Sequence, residues 1–587
     1  MKVLRAAEMT ECDRVTTERF GVPSLALMRA ASSAVAEFAR EHFRRARRVT
    51  VLCGKGNNGG DGMMAARKLA DAGLEVTTLL LGSPADLKGD AAEAWKELAD
   101  ADANRARGQI YSVTTAEDLD KYTSAFETDL IVDAVVGTGF KPPLRGLALE
   151  ALKRVRASAA KVLAVDLPSG WSADHPTDKD LSVGAPERSS REAHHQNGPV
   201  FPADAVVTFT APKPAHVFGM LTRQWDDPVV VAPIGSPDDA VISTAGLTWA
   251  GGALGMVQAR REAEANKGNF GHVLVVGGAI GLAGGRMGAP AMASLAALRT
   301  GAGLVTAAVP EPGLAVVAAI APELMTFPLE ATAEGEIAAT NLSPKRLETL
   351  LAGKTVLAIG PGMGQSAETA KFLAGLLKAT EIPVVLDADA LNLLAQDRES
   401  LAELSRGGKR TVVLTPHPGE MARLVQTTTA AVQANRLKTA REFAEETGTT
   451  VVLKGFRTVV AHADGTVAVN TTGNPGMAKG GSGDVLTGIV AGMVAQYGSE
   501  PDSDRQARAV EAAVYLHGLA GDLAVRRMDE HTLLATDTLK ELGRAFRFQP
   551  RGRSGYVWLQ GMPRGDRRAR AGHESTQREG TDREGRG

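Results

Sequence analysis

Cysteine is nearly absent: Cys12 and Cys53 are the only two in 587 residues. They form neither a CxxC pair nor a metal-ligand spacing. A disulfide framework and a structural zinc site are thereby excluded, and a reducing, cytoplasmic compartment is expected. Cys53 ends an apolar run before a glycine-rich loop, which reads as a buried strand end rather than a nucleophile. Net charge is equally slight at −2, so the composition gives no reason to expect nucleic acid or an acidic membrane as partner. No apolar run approaches the length of a membrane span. Residues 1–14 carry Lys2, Arg5, Glu8, Glu11, Asp13 and Arg14, and no signal peptide is expected. Aromatic residues are scarce at 4%, while hydrophobic content is an ordinary 44%, enough for ample core in a soluble chain of more than one domain.

Glycine is what the chain has in abundance, and it is concentrated in loops. Residues 473–488 read GNPGMAKGGSGDVLTG and run into Val485, Leu486, Ile489 and Val490 at helical spacing. Glycines let backbone amides approach an anion closely, and a helix beginning there adds the positive end of its dipole. Asp484 stands beside the expected phosphate. Like charges repel, so it reads as a base or as the positioner of a hydroxyl about to attack phosphorus rather than as a phosphate ligand. A flexible turn is the plain alternative.

Strands and helices alternate through the first half. A β-rich run ending at Cys53 enters GKGNNGGDG (residues 54–62), followed by a helical stretch. That order binds phosphate at a helix N-terminus, although the loop is neither a P-loop nor a clean GxGxxG. A second apolar run contains Asp133 and leads into Gly137-Thr138-Gly139-Phe140-Lys141; a third ends at Asp166 and leads into Leu-Pro-Ser169-Gly170. In an open parallel sheet such loops converge outside the carboxyl ends of the strands. Residues 174–198 form a polar insertion without apolar period, expected to be a mobile surface loop.

The loops GNNGGDG, DAVVGTG and AVDLPSG, with PSLALM at residues 23–28, resemble the NAD(P)H-hydrate epimerase family over roughly residues 1–240. The resemblance implies a Rossmann-like domain. It assigns the hydrated nucleotide to Asn57, Asn58, Gly59, Gly60, Asp61, Gly137, Thr138, Gly139, Phe140, Lys141 and Asp166, with Asp166 catalytic. A potassium ion falls to Asn58, Asp133 and Ser169, oxygen ligands that suit a hard cation. One departure is Met28-Arg29-Ala30-Ala31, where the family usually has an acidic residue after the methionine and a small Ala-Gly pair.

The second half repeats the logic. Short Val-rich runs enter GPGMG (360–364), DADALN (387–392), TPHPGE (415–420) and KGFRT (454–458), and residues 236–260 read as the crossover between domains. Each loop alone can be a turn or a helix cap. Together with AKGGSGD (478–484) they resemble the ADP/ATP-dependent NAD(P)H-hydrate dehydratase branch of the ribokinase-like superfamily over roughly residues 250–548. By that resemblance Lys454, Gly455, Phe456, Arg457, Thr458 and Gly483 hold the nucleotide. Ala289, Gly362, Gly364 and His417 contact the hydrated substrate, and Asp484 is the base.

The expected architecture is therefore α/β: two doubly wound domains, Rossmann-like then ribokinase-like, with a disordered tail at 549–587. The implied function is bifunctional repair of hydrated nicotinamide nucleotides. The epimers of NADHX and NADPHX are interconverted, and the (S) form is dehydrated at the expense of ADP, giving AMP and phosphate, with K⁺ at the first site and Mg²⁺ at the second. A homo-oligomer without nucleic-acid or membrane partners is expected. A vitamin or sugar-alcohol kinase and a nucleotide-sensing module are the alternatives.

Overall fold

The computed structural model describes residues 1–102, 108–174, 198–281, 284–397, 401, 404, 410–497, 503–552 and 554–563. Most of the polar insertion and residues 564–587 of the expected tail lie outside that set.

Short runs of β-branched residues form two sheets. The first contains β1 (Arg48–Cys53), β2 (Glu75–Leu81), β3 (Gly108–Val113), β4 (Leu130–Ala134), β5 (Lys161–Val165), β6 (Ala205–Phe209) and β7 (Val229–Ala232). They lie in the order 3-2-1-4-5-6-7, all parallel. Strands β4 to β7 are buried almost throughout, as expected where helices cover both faces of a parallel sheet. The order is that of a doubly wound, Rossmann-like domain.

The second sheet has ten strands. These are β8 (Leu247–Trp249), β9 (His272–Val276), β12 (Leu304–Pro310), β13 (Met325–Leu329), β14 (Val356–Ile359), β15 (Val384–Leu386), β16 (Val412–Leu414), β17 (Thr450–Leu453), β18 (Val459–Ala461) and β19 (Val467–Val469). A two-residue ladder, β10 (Ile280–Gly281) with β11 (Gly284–Gly285), stands apart from it. The order is 13-12-9-14-15-16-17-18-19-8, parallel except around β18. The helix Ser482–Tyr497 is buried from Val485 to Ala495 and crosses the helix Gly288–Thr300 closely. A Cβ at Gly488 would lie 2.0 Å from the carbonyl oxygen of Ala293, so glycine is required at that crossing.

Two expectations are corrected at the ends of the domains. Residues 236–260 are more than a crossover, because β8 within them is the edge strand of the second sheet, parallel to β19. Composition predicts disorder from residue 549, yet β20 (Val557–Gln560) pairs antiparallel with β7 of the first sheet. Reciprocally, Lys2 bridges to Thr248 and Val3 donates to the Leu247 carbonyl at 2.9 Å. The chain start thus joins the second sheet, and the segment after the second domain joins the first. The physical reason is edge strands: β7 and β8 each offer unpaired backbone groups that a short apolar segment satisfies.

Trp558 is 7% exposed, with its ring 6.1 Å from that of Phe38. Trp558→Ala is expected to remove about 3–5 kcal/mol from the first domain. Urea unfolding of the full chain checks this as an earlier transition for that domain; an unchanged curve would mean that β20 contributes nothing to it.

Candidate active sites

The first site lies where the strand order reverses, between β1 and β4. The loop after β1 opens the helix Asn57–Asp71, which places Asn57, Asn58, Gly59, Gly60 and Asp61 in its first turn and a half. The loop is tightly packed: a Cβ at Gly59 would lie 1.9 Å from the Gly54 carbonyl oxygen, and one at Gly60 would lie 2.7 Å from Met28 Cε. Arg29, the departure noted in the sequence, turns away and donates to Glu97 at 2.6 Å. The altered segment therefore keeps its methionine against the loop and its arginine off it.

Asp133, in β4, is 0% exposed. It accepts Ser169 Oγ at 2.6 Å, Ser169 N at 2.8 Å and Val135 N at 3.3 Å, none of them cationic. Burial pushes its carboxyl up to about 6. Asn58 packs against Gly137, and its buried Nδ2 has no hydrogen-bond partner among the described residues. Ser169 thus lies on Asp133 and Asn58 lies against the loop that follows it, and among the described residues no cation pairs with this carboxylate.

Asp166 follows β5 with φ 65, in the left-handed region. It accepts Lys213 Nζ at 2.9 Å, Thr208 Oγ1 at 2.8 Å, Thr138 N at 2.9 Å and the Thr138 hydroxyl. Burial works to raise its carboxyl, but the Lys213 charge and these hydrogen bonds hold it well below the usual range. Burial, then the charges of Asp166 and Asp13, raise the neighbouring Asp61. Asp13 is pushed up to about 6 by desolvation in the cleft, against the pull of Lys213. The site thus holds one firmly ionised carboxylate beside two that protonate readily. Gly139 and Lys141 are exposed and Phe140 is half-buried, at the rim.

In the second domain Asp387 directly follows β15 and is 1% exposed. It accepts Lys454 Nζ at 2.7 Å and Thr487 Oγ1 at 2.6 Å. A Cβ on Gly483 would meet Lys454 Nζ at 3.4 Å and Asp387 Oδ2 at 3.8 Å, so the glycine-rich backbone lies against this pair. Burial works against the Lys454 charge, but Asp387 and Glu420 raise its pKa. Asp484 stands in the first turn of the helix Ser482–Tyr497. Burial, and after it the charge of Asp387, push its carboxyl up to about 6, with Lys454 opposing.

Ala289 and Gly362 touch, a Cβ on Gly362 lying 3.3 Å from Ala289 Cβ. The Gly364 amide donates to Asp389 at 3.0 Å. His417 caps the helix Pro418–Leu424, its Nδ1 accepting from Gly419 at 3.0 Å and Glu420 at 3.3 Å. Desolvation and then Lys454 lower its pKa, so the ring is neutral and Nε2 faces Glu420 at 3.3 Å. Gly455 and Phe456 are exposed, and the Thr458 hydroxyl donates to the Gly455 carbonyl at 2.9 Å.

Arg457 points differently from the rest of its motif. Its side chain is buried and donates to the carbonyls of Thr471 and Gly219 and to Gln560, so the guanidinium is directed into the domain junction. Its φ of 55 turns it there. Lys213, Asp13 and Arg436 are site neighbours to which the sequence analysis assigns no role, and Asp387 and Glu420 lie within its DADALN and TPHPGE motifs without one. For Asp387 a signal exists, since a carboxylate at the end of a buried strand needs a partner. For Lys213 no local pattern marks it.

A family model described as NAD(P)H-hydrate dehydratase matches residues 273–544, and one described as YjeF-related protein N-terminus matches residues 24–215. The bifunctional NAD(P)H-hydrate repair enzyme of Moorella thermoacetica is 39% identical over 555 residues, covering 92% of this chain and 95% of that one. Its counterpart in Escherichia coli K12 is 32% identical over 556 residues, covering 92% and 93%. Among solved structures, the ADP/ATP-dependent NAD(P)H-hydrate dehydratase of Bacillus subtilis co-crystallised with ATP/Mg²⁺ is 30% identical and covers 50% of this chain and 96% of that one, with a TM-score of 0.39. With likeness running through both domains and nearly the whole length, the chain belongs to the family of bifunctional NAD(P)H-hydrate repair enzymes, an epimerase and a dehydratase in one polypeptide.

Proposed function

We propose that the first domain interconverts the epimers of NADHX and NADPHX, and that the second dehydrates the (S) epimer while splitting ADP into AMP and phosphate. The observation that supports the second reaction best is Asp484, a partly buried carboxylate at a helix start whose glycine-rich approach packs on the Lys454–Asp387 pair. The substrate carries its hydroxyl on the ring carbon next to nitrogen, and hydroxide is a poor leaving group. Asp484 takes the hydroxyl proton as the oxygen attacks the terminal phosphorus of ADP; the bond to the bridging oxygen breaks and AMP leaves. The lone pair of the ring nitrogen then expels phosphate, and loss of a proton from the adjacent carbon restores the reduced ring. The amides of residues 480–483 supply donors for the charge on the transferred group.

Three carboxylates act on the single charge of Lys454: Asp387, Glu420 and Asp484. That excess fits a divalent ion. Asp387 and Glu420 would hold Mg²⁺ together with the phosphates, whose charge it would neutralise.

In the first site, epimerisation requires the ring C–O bond to open and water to return to the other face. Asp166, ionised beside Lys213, stabilises the positive ring, while Asp61 and Asp13 can lend and recover the proton. Asn58, Asp133 and Ser169 fit a potassium ion, because Asp133 is fully buried and, among the described residues, no cation pairs with it. K⁺ would fix the loops after β1, β4 and β5 against one another. A cytoplasmic location, in keeping with two free cysteines, and a homo-oligomer complete the proposal. Among the described residues no helix is long and apolar enough to cross a membrane.

Asp484→Asn is expected to lower the dehydratase kcat by about 10²–10⁴-fold with ADP binding retained by calorimetry; wild-type turnover in the variant would remove Asp484 from the chemistry. The base must be ionised and its carboxyl titrates at about 6. Dehydratase kcat/KM should therefore fall on acidification through that pH, and a flat profile from pH 7.5 to 5 would contradict the assignment. For the epimerase, Asp133→Asn, or exchange of K⁺ for choline in the wild type, should slow interconversion about 10–100-fold, followed by chromatographic separation of the epimers. Indifference to both would remove the ion.

A further inference from the structure

The loop Lys454–Thr458 is held from two sides. From below, Arg436 of the same domain donates to the carbonyls of Leu453, Lys454 and Phe456. From the other side, Arg457 reaches out of the domain. One terminal nitrogen donates to the Thr471 carbonyl at 2.9 Å; the other donates to the Gly219 carbonyl at 3.3 Å and to Gln560 Oε1 at 2.5 Å. Gly219 belongs to the first domain, and Gln560 ends β20, the strand added to the first sheet. Gln560 is itself locked, its amide nitrogen donating to Thr222 Oγ1 at 2.9 Å and to the Asp227 carbonyl at 2.9 Å. Thr471 is fixed by Trp249 Nε1 at 2.8 Å and donates its own hydroxyl to the Leu559 carbonyl.

Arg457 is 7% exposed, and a buried guanidinium that loses its acceptors is left unpaired at a cost unless the junction opens to water. Arg457 also holds φ 55, a conformation that a non-glycine residue keeps only when its surroundings impose it. The neighbouring Phe456 ring, 57% exposed, and Lys454 ride on the same few residues of backbone. The loop's shape is therefore set partly by groups outside its own domain.

We propose that Arg457 is a positioning residue through which the first domain and the C-terminal strand set the conformation of the nucleotide loop of the dehydratase. The proposal rests on the reading that this loop holds the nucleotide, and it makes epimerase-domain residues determinants of ADP affinity.

The test is steady-state dehydratase kinetics of the full chain with ADP varied. Arg457→Ala should raise the KM for ADP about tenfold, equivalent to about 1.4 kcal/mol, with kcat changed less than about threefold; Arg457→Lys should recover part of the loss. Gln560→Ala leaves the loop sequence intact and should raise the same KM by about threefold or more, which keeps the inference testable if the arginine variant does not fold. Lys454→Ala serves as the reference for the loop itself. If Lys454→Ala raises the ADP KM while Gln560→Ala leaves it within about twofold, the cross-domain role is overturned and the nucleotide site stands. If Lys454→Ala leaves it unchanged, the reading of the loop fails, and the inference with it.

Discussion

A buried aspartate at the carboxyl edge of a parallel sheet, neutralised by a lysine from a later loop, underlies both sites. In the second domain it is Asp387 with Lys454 at 2.7 Å; in the first it is Asp166 with Lys213 at 2.9 Å. Desolvating two charges is expensive, and removing one partner of such a pair is worth about 3–5 kcal/mol of lost stability. The attraction does more than hold the fold. Lys213 keeps Asp166 ionised in a cleft where Asp61 and Asp13 are driven toward protonation. The first site thus holds carboxylates in contrasting states, the condition for moving protons near neutral pH. In the second, burial, and after it the charge of Asp387, push the Asp484 carboxyl up to about 6.

The domains are bound into one unit at their ends. The chain start extends the second sheet beside β8, and β20 extends the first sheet beside β7. The junction also carries Trp225 Nε1 donating to Glu530 at 2.6 Å, and Asp522 accepting from Gly473 N and Asn474 Nδ2 at 2.9 Å each. The glycine-rich segment that begins at Gly473 and the loop Lys454–Thr458 therefore both abut the surface shared with the epimerase domain. An epimerase joined to a stereospecific dehydratase makes chemical sense, because hydration of the ring yields two epimers and only one is consumed.

The glycine-rich loops were legible because a chain turning tightly from strand into helix needs glycine where a Cβ would strike backbone, as at Gly59 and Gly360. The doubly wound class was legible because Val-rich runs of four to six residues, alternating with helical stretches, fit parallel strands covered on both faces. What escaped depends on tertiary partners. Val557–Gln560 sits in a polar segment, is too short for periodicity to mark, and becomes a strand only because β7 leaves an edge open. Leu247–Trp249 in the crossover is the same case. The KGFRT motif names Arg457 but not the direction of its side chain, which the left-handed backbone reverses. Lys213 lies beyond β6 and meets Asp166 only through the sheet.

The most direct test of the central claim, two complementary sites in one chain, is the full-length protein acting on an equilibrated mixture of hydrated NADH epimers with excess ADP. Recovery of reduced-nicotinamide absorbance should run to completion, faster than the epimers interconvert unaided. A reaction that stalls once the (S) epimer is consumed would contradict the account.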